Sequence, residues 1–214
     1  MKNPDALTEA QSASEMFDVM EPPREDDDGV ICGFDIFTMK GVPTGATKAR
    51  GLVHQDRDWH RSVHVWLIDR DKQVVALQKR SPNKDTFPNR WDISAAGHIE
   101  SGQDSVDTAV RELAEELGVA TTRDELEFAF TVPARQAGLG GCNCFEDVYF
   151  LERPSELEMA IGEAEVTAVA WIGVRELEEK LRARDADIVP RAPVYVDAFF
   201  AHVRKKFALP RGQG

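Results

Sequence analysis

The sequence predicts an α/β fold: one layered domain in which helices pack on a central sheet of mixed strands. Three observations predict it. Runs rich in β-branched residues alternate with helical patterns, the composition is 42% hydrophobic and 30% charged, and 214 residues suffice for one core. Residues 1–30 are polar and include an acidic run at 25–28, which favours a flexible acidic arm. The domain is then expected to span residues 31–208.

Strands are predicted where short runs of β-branched and aromatic residues lie between turn residues. These runs are residues 32–39, 63–68, 73–77, 91–94, 126–132, 148–151 and 166–171. A turn rich in glycine and proline, 41–45, follows the first run, and the polar turn 69–72 joins the second to the third. Helices are predicted at 174–181 and 194–207, and the clearest one at 103–117.

The helix at 103–117 is predicted from one apolar stripe at helical spacing. The stripe consists of Val106, Ala109, Val110, Leu113 and Leu117. Ser101 can cap the start of the helix, Asp104 favours the positive end of its dipole, and Gly118 suits its C-terminal cap.

The charge balance excludes several function classes. Lys and Arg total 26 against 38 Asp and Glu, so the net charge of −12 disfavours nucleic-acid and anionic-membrane binding. No apolar run approaches the roughly 20 residues of a membrane span. The acidic N-terminus fits neither a secretory signal nor a transit peptide.

The three cysteines, Cys32, Cys142 and Cys144, are too few for a disulfide framework, so we expect a reducing cytoplasm.

Three glutamates of the predicted helix share one face. Glu112, Glu115 and Glu116 lie at i, i+3 and i+4, so their carboxylates converge and repel one another. A hard divalent cation such as Mg²⁺ would relieve this repulsion, because it takes carboxylate oxygens and bridges to phosphates. The alternative is a solvated acidic face without a metal.

These glutamates belong to a longer pattern that decides between the two. Gly97 is followed after five residues by Gln103 and after seven more by the run Arg-Glu-Leu-Ala-Glu-Glu-Leu-Gly-Val at 111–119. The pattern closely resembles the Nudix box: Gly, five residues, Glu, seven residues, Arg-Glu, an apolar residue, any residue, Glu-Glu, any residue, Gly, and an apolar residue. Gln103 is the one departure, standing where the box has Glu. The resemblance implies a Nudix-like α/β/α sandwich with a mixed central sheet.

The resemblance also implies roles for individual residues. Glu112, Glu115 and Glu116 would bind Mg²⁺, or Mn²⁺ in its place, and one of them would help to deprotonate the attacking water. Arg111 would hold the glutamates through ion pairs. The backbone carbonyl of Gly97 would complete the metal shell. Gln103 removes one carboxylate from the family pattern, which bears on metal stoichiometry and rate.

Upstream runs at 60–66, 78–85 and 91–98 resemble the isopentenyl-diphosphate-isomerase-like branch of that family. In this branch, cations equivalent to Arg80 and Lys84 grip the diphosphate; the alternative is a solvated basic turn. Isomerases carry a cysteine just before Gly-His, where this chain has Ala96, and they lack the full Arg-Glu-x-x-Glu-Glu set. The resemblance therefore implies hydrolysis rather than isomerisation, because the proton relay to carbon has lost its thiol.

The same branch implies a second metal site. Its isomerases hold a separate metal with three histidines and two glutamates. The histidines resemble His54, His60 and His98, although the first spacing is one residue short, and the glutamates resemble Cys142 and Cys144. A His/Cys set favours Zn²⁺ over Mg²⁺. The alternative is that the cysteines are incidental loop residues and the histidines make structural hydrogen bonds.

The sequence thus predicts an Mg²⁺-dependent pyrophosphohydrolase whose partner is a small-molecule diphosphate. Nucleoside, sugar-nucleotide, thiamine and prenyl diphosphates are the candidate substrates, and the branch resemblance favours the prenyl class. Two alternatives stay open: residual isomerase-like activity, and a catalytically weak Nudix domain that binds a ligand as a regulatory module.

Overall fold

The computed structural model describes residues 15–23, 41–84, 86–136, 141–162 and 164–207. Nine strands occur in these ranges. They are β1 Met16–Met20, β2 Pro43–Ala49, β3 His60–Asp69, β4 Val74–Arg80, β5 Trp91–Asp92, β6 Ala95–His98, β7 Glu127–Arg135, β8 Asn143–Glu152 and β9 Val166–Gly173. Each predicted strand that falls in the described ranges has a counterpart within a few residues, except that the 91–94 run is divided between β5 and the start of β6.

Four α-helices accompany the strands in the described residues. They are α1 Arg50–Asp56, α2 Ser105–Leu117, α3 Val174–Arg182 and α4 Pro193–Lys206. The last three match the predicted helices closely. No helix in the described part of the chain is long and apolar enough to cross a membrane.

Seven strands form one mixed sheet with β3 at its centre. β3 pairs in parallel with β8 along its length, from His60 opposite Cys144 to Ile68 opposite Glu152. On its other side, β3 pairs antiparallel with the short β6 and, at its end, with β4. β7 extends the sheet beyond β8, while β9 and β5 pair with β4. The antiparallel neighbour of β3 on that side therefore changes along its length, from β6 to β4.

Helices cover both faces of this sheet. One apolar cluster joins β3, β7 and β8 to α3 and α4; its largest members include Trp66, Phe130, Phe150 and Phe199. The other cluster joins β3 and β8 to α2; it includes Val63, Val65, Leu113, Leu117 and Leu151. Each side chain of this kind contributes roughly 1.5–3 kcal/mol when fully buried. The predicted α/β class with a mixed central sheet is confirmed.

The ends of α2 show why the helix begins and stops where it does. Asp104 is the N-cap, and its carboxylate accepts a hydrogen bond from the Val106 amide at 3.2 Å. The prediction of Ser101 as the cap is wrong, because its hydroxyl donates to Asp18 instead. Gly118 ends the helix with φ of +63°, a left-handed conformation that glycine adopts without steric cost, as predicted.

The N-terminal part of the chain corrects another prediction. Met16–Met20, within the segment predicted to be a flexible arm, form β1, which pairs with β2 as a separate two-stranded sheet. Phe17 of β1 is buried against the rings of His60 and His98, so apolar contact orders this stretch. The turn predicted at 41–45 overlaps the start of β2. The strand predicted at 32–39 and the acidic run at 25–28 lie outside the described residues.

Candidate active site

Glu112 of α2 packs directly on Gly97 of β6. A Cβ atom built on Gly97 would lie 2.0 Å from Oε1 of Glu112, far inside any non-bonded contact. Only glycine therefore allows the carboxylate to lie against the strand backbone. Glu112 is 8% exposed, so the charged end of an acidic side chain is held in the interior.

Glu116, one helical turn later, lies deeper still, at 3% exposure. Its Oε2 accepts two hydrogen bonds of 2.9 Å, from the backbone amide of Ala96 and from Nε2 of Gln78. The carboxylate is thereby fixed against β6 and β4. Gln78 was not predicted as a site residue, since a single glutamine in a strand gives no sequence signal.

Burial raises the pKa of both carboxyl groups. The pKa of Glu112 is raised to about 7 by burial, with Arg111 opposing the rise and Glu115 adding to it. Burial raises the pKa of Glu116 to about 8, against the effect of Lys84. The two buried carboxyl groups lack enough nearby positive charge to ionise below neutral pH. Such a donor set fits a divalent cation.

Glu115 differs from its two neighbours because its side chain is 59% exposed. Arg111 bridges it to Glu112: one guanidinium nitrogen lies 2.9 Å from Oε2 of Glu115 and another 2.8 Å from Oε1 of Glu112. The two-pronged guanidinium thus holds one buried and one exposed carboxylate on the same side of α2.

Lys84 brings positive charge to this cluster from the loop after β4. Its Nζ lies 3.9 Å from Oε1 of Glu116 and forms a close ion pair with Glu165. Burial opposes the ionisation of Glu165, but Lys84 and a hydrogen bond with Glu116 hold its pKa below the usual value. Glu165 precedes β9 and is remote from α2 in sequence, so sequence patterns did not identify it.

Arg80 has a different environment from Lys84. Its guanidinium donates to Asp92 at 3.0 Å and, through two further nitrogens, to the carbonyl and hydroxyl oxygens of Thr86. Asp92 is buried and also pairs with Arg191. Arg80 is therefore part of an internal ion-pair chain that shapes the loop carrying Lys84.

The residues proposed for a second metal come together on the opposite face of β6. Ligand atoms of His54, His60, His98 and Cys142 all lie within 4.8 Å of one another. Cys144, the fifth predicted member, places its Sγ 3.4 Å from Nε2 of His60. We refer to these five residues as the His/Cys group.

The protonation of the His/Cys group follows from its packing. Burial, with His98 adding to it, lowers the pKa of His54 to about 4, and burial also lowers the pKa of His98. A hydrogen bond with Cys144 lowers the pKa of Cys142 well below its usual value, whereas burial raises that of Cys144. These directions favour neutral imidazoles at His54 and His98 beside a thiolate at Cys142, the forms in which these residues bind metals.

Comparison with known proteins identifies the family. The NUDIX domain family matches residues 58–192, more than half of the chain. The chain belongs to the Nudix family. Nudix hydrolase 3 of Arabidopsis thaliana is 41% identical over 163 residues, which cover 73% of this chain but 21% of that protein. The chain thus spans about a fifth of the length of this relative.

Two further comparisons bear on this Nudix chain. A prenyl-diphosphate phosphatase of Methanosarcina mazei is 28% identical over 150 residues, covering 67% of this chain and 81% of that protein. The crystal structure of DR0079 from Deinococcus radiodurans has a TM-score of 0.51 at 19% identity and covers 90% of this chain and 99% of its own. That structural likeness supports the Nudix fold.

Gln103, the one departure from the Nudix box, bonds to the first turn of α2. It is exposed in the segment before α2, and its Oε1 accepts a 3.3 Å hydrogen bond from the Thr108 hydroxyl. The amide therefore supports the first turn of the helix. Replacing the Glu of the box at this position leaves the buried carboxylates of Glu112 and Glu116 in place.

Proposed function

We propose that the chain is an Mg²⁺-dependent pyrophosphohydrolase that cleaves the diphosphate linkage of a small organic molecule. One observation carries the proposal: the buried carboxylates of Glu112 and Glu116 both lie against the backbone of β6, where Gly97 makes room for Glu112 and the Ala96 amide donates to Glu116. Burying two carboxyl groups is unfavourable unless positive charge joins them. Phosphate chemistry is the use for which such a cation is best suited.

Glu112, Glu115 and Glu116 would hold Mg²⁺ or Mn²⁺, with the Gly97 carbonyl beside them. When bound, the cation lowers the pKa of a water and offsets charge on the phosphate. Arg111 keeps Glu112 and Glu115 on one side of the helix.

Hydrolysis also requires a carboxylate that accepts the proton of the attacking water. Glu165 is suited to this task because Lys84 keeps its carboxylate ionised. Glu116, by contrast, is already held by hydrogen bonds from Gln78 and Ala96. Lys84 would bind the phosphate oxygens of the substrate, and Arg80 would fix the loop on which Lys84 stands.

Among diphosphates, we propose a prenyl diphosphate as the substrate class. The support is the likeness to a prenyl-diphosphate phosphatase over four fifths of that relative. Nucleoside, sugar-nucleotide and thiamine diphosphates are the competing substrates. The thiols of Cys142 and Cys144, which are not joined in a disulfide, support a reducing compartment, and we propose the cytoplasm.

Isomerisation of a prenyl diphosphate is the less favoured activity. Ala96 contributes its backbone amide to Glu116 and has no ionisable side chain to move a proton to or from carbon. We expect no dimethylallyl diphosphate from isopentenyl diphosphate, with Mn²⁺ or Zn²⁺ added. Product formation above that of a heat-inactivated sample would contradict this expectation.

A phosphate-release screen over a panel of diphosphates, with Mg²⁺ or with EDTA, tests the hydrolase. Release should require Mg²⁺, and Glu116→Gln should lower turnover by about 10²-fold or more, since the amide keeps the shape but loses the charge. Glu115→Gln should lower it too. Glu156→Gln, an exposed glutamate paired with Lys72, is the matched control and should act as wild type. Binding of a diphosphate without any release would instead favour the regulatory module.

A further inference from the structure

Two cysteines meet at the start of β8. Cys142 directly precedes the strand and Cys144 is its second residue, so they lie at i and i+2, a spacing that places both side chains on one face of an extended chain. Their Sγ atoms are 3.1 Å apart. A disulfide bond is about 2.05 Å long, so a movement of roughly 1 Å brings the two sulfur atoms to bonding distance.

The backbone around the two cysteines is held in place. Asn143, which lies between them, donates a hydrogen bond from its side chain to the Arg57 carbonyl at 2.9 Å. Cys144 is paired with His60 of β3 on one side of β8 and with Ala134 of β7 on the other. The two sulfur atoms therefore remain neighbours as long as β8 stays in the sheet.

The two thiols differ in their access to solvent and in their reactivity. Cys142 is partly exposed, whereas Cys144 is only 2% exposed. Nε2 of His98 lies 3.4 Å from Sγ of Cys142. The hydrogen bond with Cys144 and the nearby His98 lower the pKa of Cys142, which favours the thiolate, the reactive form of cysteine. An accessible, reactive cysteine beside a second thiol is the arrangement found where cysteines are oxidised reversibly.

We propose that Cys142 and Cys144 are a modification site, at which a hydroperoxide converts the two thiols into a reversible disulfide. The Cys142 thiolate attacks one oxygen of the hydroperoxide and the O–O bond breaks, so Cys142 becomes a sulfenic acid. The second oxygen takes up the proton that Cys142 gave up and leaves as water or an alcohol. The Cys144 sulfur then attacks the Cys142 sulfur, the S–O bond breaks, and the departing hydroxide leaves as water with the Cys144 proton. The two thiols lose two electrons, which reduce the peroxide.

This reaction goes beyond the proposed hydrolysis and uses none of its residues. In a reducing compartment, disulfides are typically transient and redox-sensing rather than structural. Oxidation also removes the Cys142 thiolate from His98, the residue that follows Gly97 in β6. The modification therefore changes a contact of the strand on which the Glu112 carboxylate packs.

Mass spectrometry of the full chain tests this assignment. The protein, as purified and after chelation of divalent metal, is treated with hydrogen peroxide and then alkylated. The oxidised chain should be lighter by two hydrogen atoms, and two of its three cysteines should resist alkylation until dithiothreitol is added. After tryptic digestion, the loss should fall in the fragment 136–175, which contains both cysteines, and not in 25–40, which contains Cys32. A metal ion bound by Cys142 would protect it, so the chelated sample decides.

Matched variants identify the role of each thiol. Cys32→Ser should form the disulfide as wild type does. Cys144→Ser should stop at the sulfenic acid of Cys142, which dimedone traps, and Cys142→Ser should give neither product. Wild type in urea covers the case in which a variant fails to fold: there, Cys142 should react at least about tenfold more slowly than in the folded chain.

Three results would overturn the assignment. They are an unchanged mass of the chelated wild type after peroxide, a disulfide that includes Cys32 in the folded chain, and equal rates of Cys142 oxidation in folded and urea-unfolded protein. Hydrolysis plays no part in these readouts, so they are independent of the proposed pyrophosphohydrolase.

Discussion

Replacement of Glu116 by Gln should make the metal-free protein more stable at high pH. The folded-state pKa of Glu116 is about 8, raised from 4.5 by burial. The stability contributed by its protonated form is therefore fully present below pH 4.5 and is lost as the pH rises through 8. At about 1.36 kcal/mol per pKa unit, the complete loss is on the order of 5 kcal/mol, of which roughly 4 kcal/mol falls between pH 5 and pH 9.

The amide introduced by Glu116→Gln has no proton to lose, and its oxygen can still accept from the Ala96 amide. Urea unfolding in EDTA at pH 5 and pH 9 measures the difference. Between these pH values the free energy of unfolding of wild type should fall by roughly 4 kcal/mol more than that of Glu116→Gln. Added Mg²⁺ should restore wild type at pH 9 and have little effect on the variant. Glu115→Gln, at an exposed carboxylate, is the control and should follow wild type. Equal pH dependence of wild type and Glu116→Gln would refute a buried, unneutralised carboxyl at this position.

Three further changes test other parts of the site. Gly97→Ala should destabilise the fold by about 1–3 kcal/mol and abolish phosphate release, because the added Cβ would overlap the Glu112 carboxylate. Gly173→Ala is the control: a Cβ there meets no atom within 4 Å, so the change should cost less than about 1 kcal/mol. Urea unfolding of the two variants measures the difference. Gln103→Glu should leave turnover within about twofold, as the side chain is exposed and bonds to Thr108; a tenfold change in kcat would contradict this. Lys84→Ala should lower kcat/KM by roughly tenfold or more through loss of a charge-assisted phosphate contact, and Lys72→Ala, at an exposed ion pair, should not.

Much of the fold could be predicted because each element carries a local pattern. The apolar stripe of α2 and its terminal glycine fixed the helix within two residues. The strand 148–151 was predicted too short, since β8 includes the buried polar residues Asn143, Glu146 and Asp147, which break the apolar pattern. Contacts with residues distant in sequence hold such polar groups, and these tertiary contacts leave no local signal. Asp147, for example, accepts from Arg61 and Ser105.

The candidate site could likewise be predicted only in part. Glu112, Glu115 and Glu116 share a helix, so their spacing alone predicts that they converge. Gln78 and Glu165 reach the same cluster through the pairing of β4 and β9, a long-range contact that single-sequence patterns do not encode. For the same reason, the different roles of Arg80 and Lys84 could not be predicted, because they depend on Asp92 and Glu165 rather than on their neighbours in sequence.

The four residues of β6 link two groups of different chemistry in a way that limits how the protein can vary. Successive side chains of a strand point to opposite faces, so Gly97 meets α2 while His98 joins the other histidines. Deleting or inserting one residue before Gly97 would exchange the faces and remove both groups at once. Substitution can therefore eliminate either group alone, but changes of length within β6 cannot. We expect related sequences to vary in length on either side of this strand and to keep its four positions.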